Sequence, residues 1–323
     1  MKKFLKKVGL LLLLTAILFV GINWPLYEWV VIPNRMIAKG TDKFQSVPDG
    51  IQVANLGNSH GARAFDYAQL REITGFNFGL SAQPLPDDWA VLNYYQDHLD
   101  QDAVLFISVS FFSLYQDERA QSDHQDRSRV YDDFLPAGYQ TNPAPDSRWF
   151  QAFPLVRFNP DEIVKYLDSS KAYLESGWNR RLDSESPEQI RQDALKSYQS
   201  HAPESTKIND RALEALDRIV NLCRQKGWTP IFCTAPYPDV YVEQYPPEFL
   251  KRFDSDMEAL SRRYDAPYLD YSRHPDFSGD YSLFMDADHV NKAGAEKFTR
   301  MILREARGLY PDSPLGAEPG LKE

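Results

Sequence analysis

Two short stretches near opposite ends of the chain carry residue types suited to proton transfer and ester formation. The first is Gly57-Asn58-Ser59-His60-Gly61, directly after the apolar run Ile51–Leu56. A serine between turn-forming residues, with a helix to follow, exposes its hydroxyl at a sheet edge. Its backbone N–H then points the same way, near a helix N-terminus, where a developing oxyanion is stabilised. The second is Asp286-Ala287-Asp288-His289-Val290-Asn291, just before a helical pattern. A histidine with an aspartate three residues earlier is a compact pair of base and orienter. The imidazole takes the serine proton while the carboxylate fixes its tautomer and stabilises its charge. If Asp286 or Asp288 merely capped the last helix, the histidine would have no role.

The elements around these stretches alternate. Ile51–Leu56, Phe76–Leu80, Ala103–Val109, Thr229–Thr234 and Pro267–Leu269 are short apolar runs that predict strands. Helical spacing is expected near Ala64–Thr74, Asp87–Asp97, Ile208–Cys223, Phe249–Tyr264 and Asn291–Glu305, where Asn291 is a good N-cap. Strands alternating with helices imply a parallel sheet covered on both faces, with chemistry at the carboxyl ends of the strands. Residues just after Leu56, Leu80 and Val109 are therefore the first to inspect. Residues 115–205 are polar, with scattered aromatics, and read as an irregular or helical insertion.

The two blocks together resemble the SGNH (GDSL-like) hydrolase and acyltransferase superfamily. Its first block is usually Gly-Asp-Ser, met here by Gly57-Asn58-Ser59 with Asn58 in place of Asp. Its last block, Asp-x-x-His, is met by Asp286 and His289. The resemblance covers about residues 51–305 and implies a flavodoxin-like three-layer α/β/α sandwich. It implies Ser59 as nucleophile, His289 as general base and Asp286 as orienter, with Asp288 second choice for that last role. It also implies an oxyanion hole, with the Ser59 N–H, Gly79 (in Asn77-Phe78-Gly79-Leu80-Ser81) and a third-block donor as candidates. The third block departs from the pattern, because Ser108-Val109-Ser110-Phe111-Phe112-Ser113 lacks the usual Asn. Ser110 or Ser113 is the substitute, and a lost donor of this kind costs about 2.7–4 kcal/mol. Drift of this block belongs to the membrane-anchored acyltransferase branches of the superfamily.

The N-terminus fits such an anchor. Lys2, Lys3, Lys6 and Lys7 precede an uncharged stretch from Val8 to Tyr27. Twenty residues at a rise of about 1.5 Å cover about 30 Å, the hydrocarbon thickness of a bilayer. Trp24, Tyr27 and Trp29 form an aromatic belt, and the lysines place the N-terminus in the cytoplasm. A cleaved signal peptide is the alternative, but no Ala-x-Ala pattern follows the run. The expected layout is residues 1–30 as basic tip and anchor, 31–50 as connector, 51–305 as the α/β domain with its insertion, and 306–323 as a flexible tail.

Function classes narrow accordingly. The chain of 323 residues carries a net charge of −10, and without the four N-terminal lysines it carries −14. That balance argues against a nucleic-acid partner, which needs a basic face. Two cysteines exclude a disulfide-built scaffold; Cys223 and Cys233 are two buried thiols or one disulfide. His98, His124, His201 and His274 have no partner at metal-ligand spacing, so neither metal nor cofactor is expected. His60 is expected to support its turn. Trp149, Phe150, Tyr173 and Trp178 either stack on sugar rings or form a local satellite core. Arg180-Arg181 is the candidate patch for anionic polymers.

The expectation is a bacterial, single-pass, extracytoplasmic enzyme of acyl esters. O-acyl, most simply O-acetyl, transfer to a cell-surface polysaccharide or wall polymer is preferred, with an integral-membrane acyltransferase as donor partner. A carbohydrate esterase of the same fold, or a non-catalytic glycan-binding factor, is the alternative.

Overall fold

The computed structural model describes residues 1–71, 73–116, 129–143, 152–167, 178–203 and 205–316. Five strands form one parallel sheet: β1 (Ile51–Leu56), β2 (Gly75–Asn77), β3 (Leu99–Ser108), β4 (Thr229–Thr234) and β5 (Tyr268–Asp270). Their order is β2-β1-β3-β4-β5, and every pairing is parallel. This is the flavodoxin-like doubly wound order, which the sequence led us to expect.

The central strand β3 shows why both faces need cover. Leu105 and Ile107 pack in one apolar cluster, while Val104 and Phe106 pack in another. The alternation is that of a pleated strand, and no polar position interrupts it between Ala103 and Ile107. The first cluster is closed by helices α4 (Leu85–Tyr95), α7 (Asp210–Lys226), α8 (Asp239–Val242) and α9 (Pro247–Tyr264). The second takes side chains from α3 (Ser59–Ala64), α6 (Pro187–His201), α10 (Pro275–Ser278) and α11 (Lys292–Leu309). Cys223 belongs to the first cluster and Cys233 to the second. They are two buried thiols on opposite faces of the sheet, not a disulfide.

Several expected elements are corrected. The helix placed at Ala64–Thr74 is instead α3, which begins at Ser59 and ends at Ala64. The chain leaves it because Phe65 is extended and the Asp66 carboxylate accepts the Ala68 N–H, closing a local turn. Within the connector expected at 31–50, Ile32–Lys39 forms α2 and buries Arg35 and Met36. The tail at 306–323 is ordered in its first part. α11 runs to Leu309, Leu315 is buried, and its carbonyl accepts from Arg307 Nε at 2.6 Å.

The N-terminal helix α1 (Lys2–Leu26) continues through a π-helical turn, Tyr27–Val31, into α2 (Ile32–Lys39). The combined helix is long and apolar enough to cross a membrane. Its C-terminal end is held by the insertion. Val31, Leu155 and Tyr166 form a small core, Asn34 Nδ2 donates to the Tyr166 carbonyl at 2.7 Å, and Asn23 Oδ1 accepts the Leu155 N–H at 3.3 Å. The short helix α5 (Pro160–Tyr166) packs there, its capping box closed by Asn159 and Glu162.

Candidate active site

The turn after β1 is fixed by close backbone approach. Gly57 has φ +132, and a Cβ there would lie 2.8 Å from Ser108 Cβ. Gly61 is equally confined, with a Cβ position 2.9 Å from the same atom. Only glycines let α3 start against β3. The Gly57 N–H donates to Asp88 Oδ1 at 2.8 Å. Asp88 is fully buried, and that burial pushes its carboxyl up to about 8 against the hydrogen bonds from Gln83 and Gly57. Asn58 caps α3 by accepting the His60 N–H at 3.0 Å. Ser59 is therefore the first helical residue, whose N–H has no intrahelical acceptor.

Across the sheet edge, the segment between β5 and α11 brings His289 to this turn. His289 Nε2 lies 2.9 Å from Ser59 Oγ. On its other side, Nδ1 lies 3.0 Å from Asp286 Oδ1 and 3.2 Å from Asp288 Oδ1. Asp286 also accepts the His289 N–H at 2.8 Å and the Asp288 N–H at 3.2 Å, so one carboxylate shapes the turn and faces the ring. Burial disfavours charge on His289, but the carboxylates of Asp288 and Asp286 outweigh it and hold the imidazole well above its ordinary value. Ser59, His289 and Asp286 thus stand together, and Asp288 shares the place expected of Asp286 alone.

Asp288 has more neighbours than spacing foretold. Its side chain is 4% exposed against 39% for Asp286. Oδ2 lies 3.2 Å from His60 Nε2 and 3.3 Å from His201 Nδ1, and Oδ1 accepts from Ser197 Oγ at 3.0 Å. Burial works against its charge, yet His289 and His60 keep its carboxyl well below the ordinary range. His60, buried, is lowered by desolvation against the pull of Asp288, and His201 is lowered to about 4 by burial and by His60. Neutral His60 donating from Nε2 to Asp288 leaves Nδ1 to accept from Tyr237, whose hydroxyl is 3.0 Å away.

His60 therefore does more than support its turn. His201 and Ser197, one turn apart on α6, reach the site from the insertion. Their i, i+4 spacing on one helix face was the available signal. His60, Asp288 and His289 have ligand atoms within 4.8 Å of one another, close enough for a cation. Each is already engaged in the hydrogen bonds just given, and an ion there would displace Ser59 or Asp288 from His289.

Two oxyanion candidates are corrected. The Gly79 N–H is donated to Asn77 Oδ1 at 2.9 Å, and its carbonyl accepts from Lys43 Nζ at 2.6 Å. The glycine is there for close approach, since a Cβ would stand 2.9 Å from the Ala62 nitrogen. Ser110 Oγ is buried, donates to Asn58 Oδ1 at 2.9 Å and lies 2.8 Å from His60 Nδ1. Ser113 Oγ accepts from Asn58 Nδ2 at 3.2 Å. The third-block serines thus hold the first-block asparagine. The Ser59 N–H, at the start of α3, remains as a candidate donor beside Ser59 Oγ.

The other candidates have structural partners. His98 Nδ1 lies 2.8 Å from Asp49, and His274 accepts the Asp276 N–H and stacks on Tyr271. Arg181 pairs with Asp183 and Arg180 with Glu185, so Arg180-Arg181 is no free basic patch. Trp178 packs against the second core cluster. His124, Trp149, Phe150 and Tyr173 lie outside the described residues.

No protein-family model matches the chain, and no curated protein matches it. Among solved structures, a putative acylhydrolase from Bacteroides fragilis NCTC 9343 is similar at 10% identity and a TM-score of 0.40, covering 83% of this chain and 93% of that one. The architecture stands on its own strand order: a flavodoxin-like α/β/α sheet that gathers Ser59, His289, Asp286 and Asp288 at its carboxyl edge.

Proposed function

We propose that the chain is a membrane-anchored, SGNH-type serine enzyme of acyl esters, with its domain outside a bacterial cell membrane and Ser59 as the covalent carrier. The observation that carries this is the 2.9 Å approach of His289 Nε2 to Ser59 Oγ, with two carboxylates behind the ring. Ser59 Oγ attacks the ester carbonyl while His289 takes its proton. The oxyanion forms beside the Ser59 N–H. Collapse expels the alcohol, which takes the proton from His289, and leaves an acyl group on Ser59. An acceptor hydroxyl then gives its proton to His289 and attacks the acyl carbonyl; collapse breaks the Ser59 Oγ–acyl bond, His289 returns the proton to Ser59 Oγ, and the new ester leaves.

A sugar hydroxyl as acceptor makes the protein an O-acyltransferase of a surface polysaccharide or wall polymer, and water makes it an esterase. The anchor favours transfer, because tethering raises the effective concentration of envelope polymers at the site. A non-catalytic glycan-binding role would give no reason for a serine hydroxyl to face a histidine backed by two carboxylates. The test supplies full-length protein in neutral detergent with an acetyl ester and an acceptor sugar. Acetylated sugar in excess over free acetate, dependent on Ser59, supports transfer. Free acetate alone moves the assignment to esterase, and no acetyl loss from the donor removes the catalytic reading.

A further inference from the structure

We propose that residues 153–158 of the insertion are a second membrane contact, seated against the N-terminal helix at the depth of lipid acyl chains, with the bilayer itself covering their outward face. Four contacts lay the insertion along the helix like a ladder. Phe153 meets Phe19 with ring centroids 5.8 Å apart. Asn23 Oδ1 accepts the Leu155 N–H at 3.3 Å, the Phe158 ring lies 6.4 Å from that of Tyr27, and the Tyr166 carbonyl accepts from Asn34 Nδ2 at 2.7 Å. At a rise of about 1.5 Å per residue, Phe19 lies about 12 Å and Asn23 about 6 Å before Tyr27, where the uncharged stretch ends. The first two rungs therefore stand beside the part of the helix apolar enough to cross a membrane.

Polarity changes at the same level on both segments. Phe153-Pro154-Leu155-Val156 carries no charge, and neither does the helix beside it. Charge begins at Arg157 on the insertion and at Glu28 on the helix. Buried Asp133 pairs with Arg35 and faces Arg157 and Lys39, and both Arg35 and Lys39 lie past Tyr27. Non-helical backbone enters hydrocarbon only where its polar groups are met by protein. Here Pro154 has no N–H, Leu155 donates to Asn23, Val156 to the Phe153 carbonyl at 3.0 Å, and Phe158 to the Leu155 carbonyl at 3.1 Å. Asn23 is 1% exposed in a helix that is otherwise largely exposed, as a polar residue within a span should be when it faces protein. The outward side chain of this turn is apolar, since Val156 is 55% exposed. Single exposed valines are ordinary on a soluble surface, but this one continues the apolar surface of the helix, where Val20 and Trp24 are 52% and 45% exposed. The inference rests on the helix being a membrane span and is independent of the chemistry at Ser59. Its consequence is orientation, because two contacts fix the domain against the membrane where one helix would let it swing.

The test uses full-length protein in phosphatidylcholine nanodiscs, labelled with a polarity-sensitive fluorophore at one introduced cysteine: Val156→Cys, Val20→Cys on the helix, or Leu195→Cys on the exposed side of α6. Cys223 and Cys233 are buried and stay unlabelled. Phosphatidylcholine brominated along its acyl chains should quench the labels at 156 and 20 to a similar extent. Aqueous iodide should spare both and quench the label at 195. Iodide quenching at 156 equal to that at 195, with bromolipid quenching kept at 20, overturns the proposal and leaves the span standing. Loss of bromolipid quenching at 20 as well overturns the span, and the proposal with it.

Discussion

His60 and His289 lie with ring centroids 4.8 Å apart and share one carboxylate, that of Asp288. The imidazole that faces Ser59 is thus held from two sides, by Asp286 near solvent and by a buried pair behind it. His289 is raised well above its ordinary value by these carboxylates. A general base works in its neutral form, so activity should rise with pH through that raised value and fall below it. Asp288→Asn removes one charge, lowers the His289 value and should move the acid limb of the kcat profile to lower pH. Because Asp286 remains, the loss in kcat should stay below the roughly 10⁴-fold expected when an orienter has no substitute. The double Asp286→Asn, Asp288→Asn variant should approach that figure. An unmoved acid limb in Asp288→Asn would contradict the shared-carboxylate arrangement.

Ser110 tests the oxyanion correction. Its hydroxyl is spent on Asn58, so Ser110→Ala should cost about 1 kcal/mol of stability, one hydrogen bond. Its effect on kcat should be less than about tenfold, against the 10²–10³ that a true oxyanion donor costs. Denaturant melts and steady-state rates on the same preparations separate the two.

Gly57 should tolerate no side chain. At φ +132, with a Cβ position 2.8 Å from Ser108 Cβ, Gly57→Ala combines strain and clash. A loss of about 2–4 kcal/mol is expected, together with displacement of Ser59. Urea denaturation with intact m-value checks the first, and loss of activity in the remaining folded protein checks the second.

Asp88 carries a pH prediction of definite sign. Its folded value of about 8 lies above the unfolded value near 3.9. The folded state therefore holds a proton that the unfolded state releases, and stability falls as pH rises through this window. Asp88→Asn keeps an acceptor for the Gly57 N–H and removes that slope. Relative to the parent, the variant should gain stability between pH 5 and about 8, read from urea midpoints at the two ends.

Much of this was legible in the sequence, for physical reasons that also mark the limit. The strand runs were visible because the part of β3 from Ala103 to Ile107 is buried on both faces and shows as an unbroken apolar stretch. Ser59 and the pair of Asp286 and His289 were visible because turn and cap chemistry is local. The role of Asp288 was hidden because it depends on His60, Ser197 and His201, which lie 228, 91 and 87 positions away. Gly79 and Ser110 misled because a hydrogen bond to a neighbouring side chain leaves no trace in spacing. The grip of residues 153–167 on the N-terminal helix was equally invisible, since it joins an apolar helix to a polar segment more than a hundred residues away.

The central claim is that Ser59 is acylated. Full-length protein in neutral detergent, mixed with p-nitrophenyl acetate and quenched in acid, is digested and its peptides weighed. One acetyl group on the peptide containing Ser59 is expected, formed with a burst of nitrophenol and absent from Ser59→Ala and His289→Ala. Acetyl found only on other residues, or nitrophenol release unchanged in Ser59→Ala, would contradict the account.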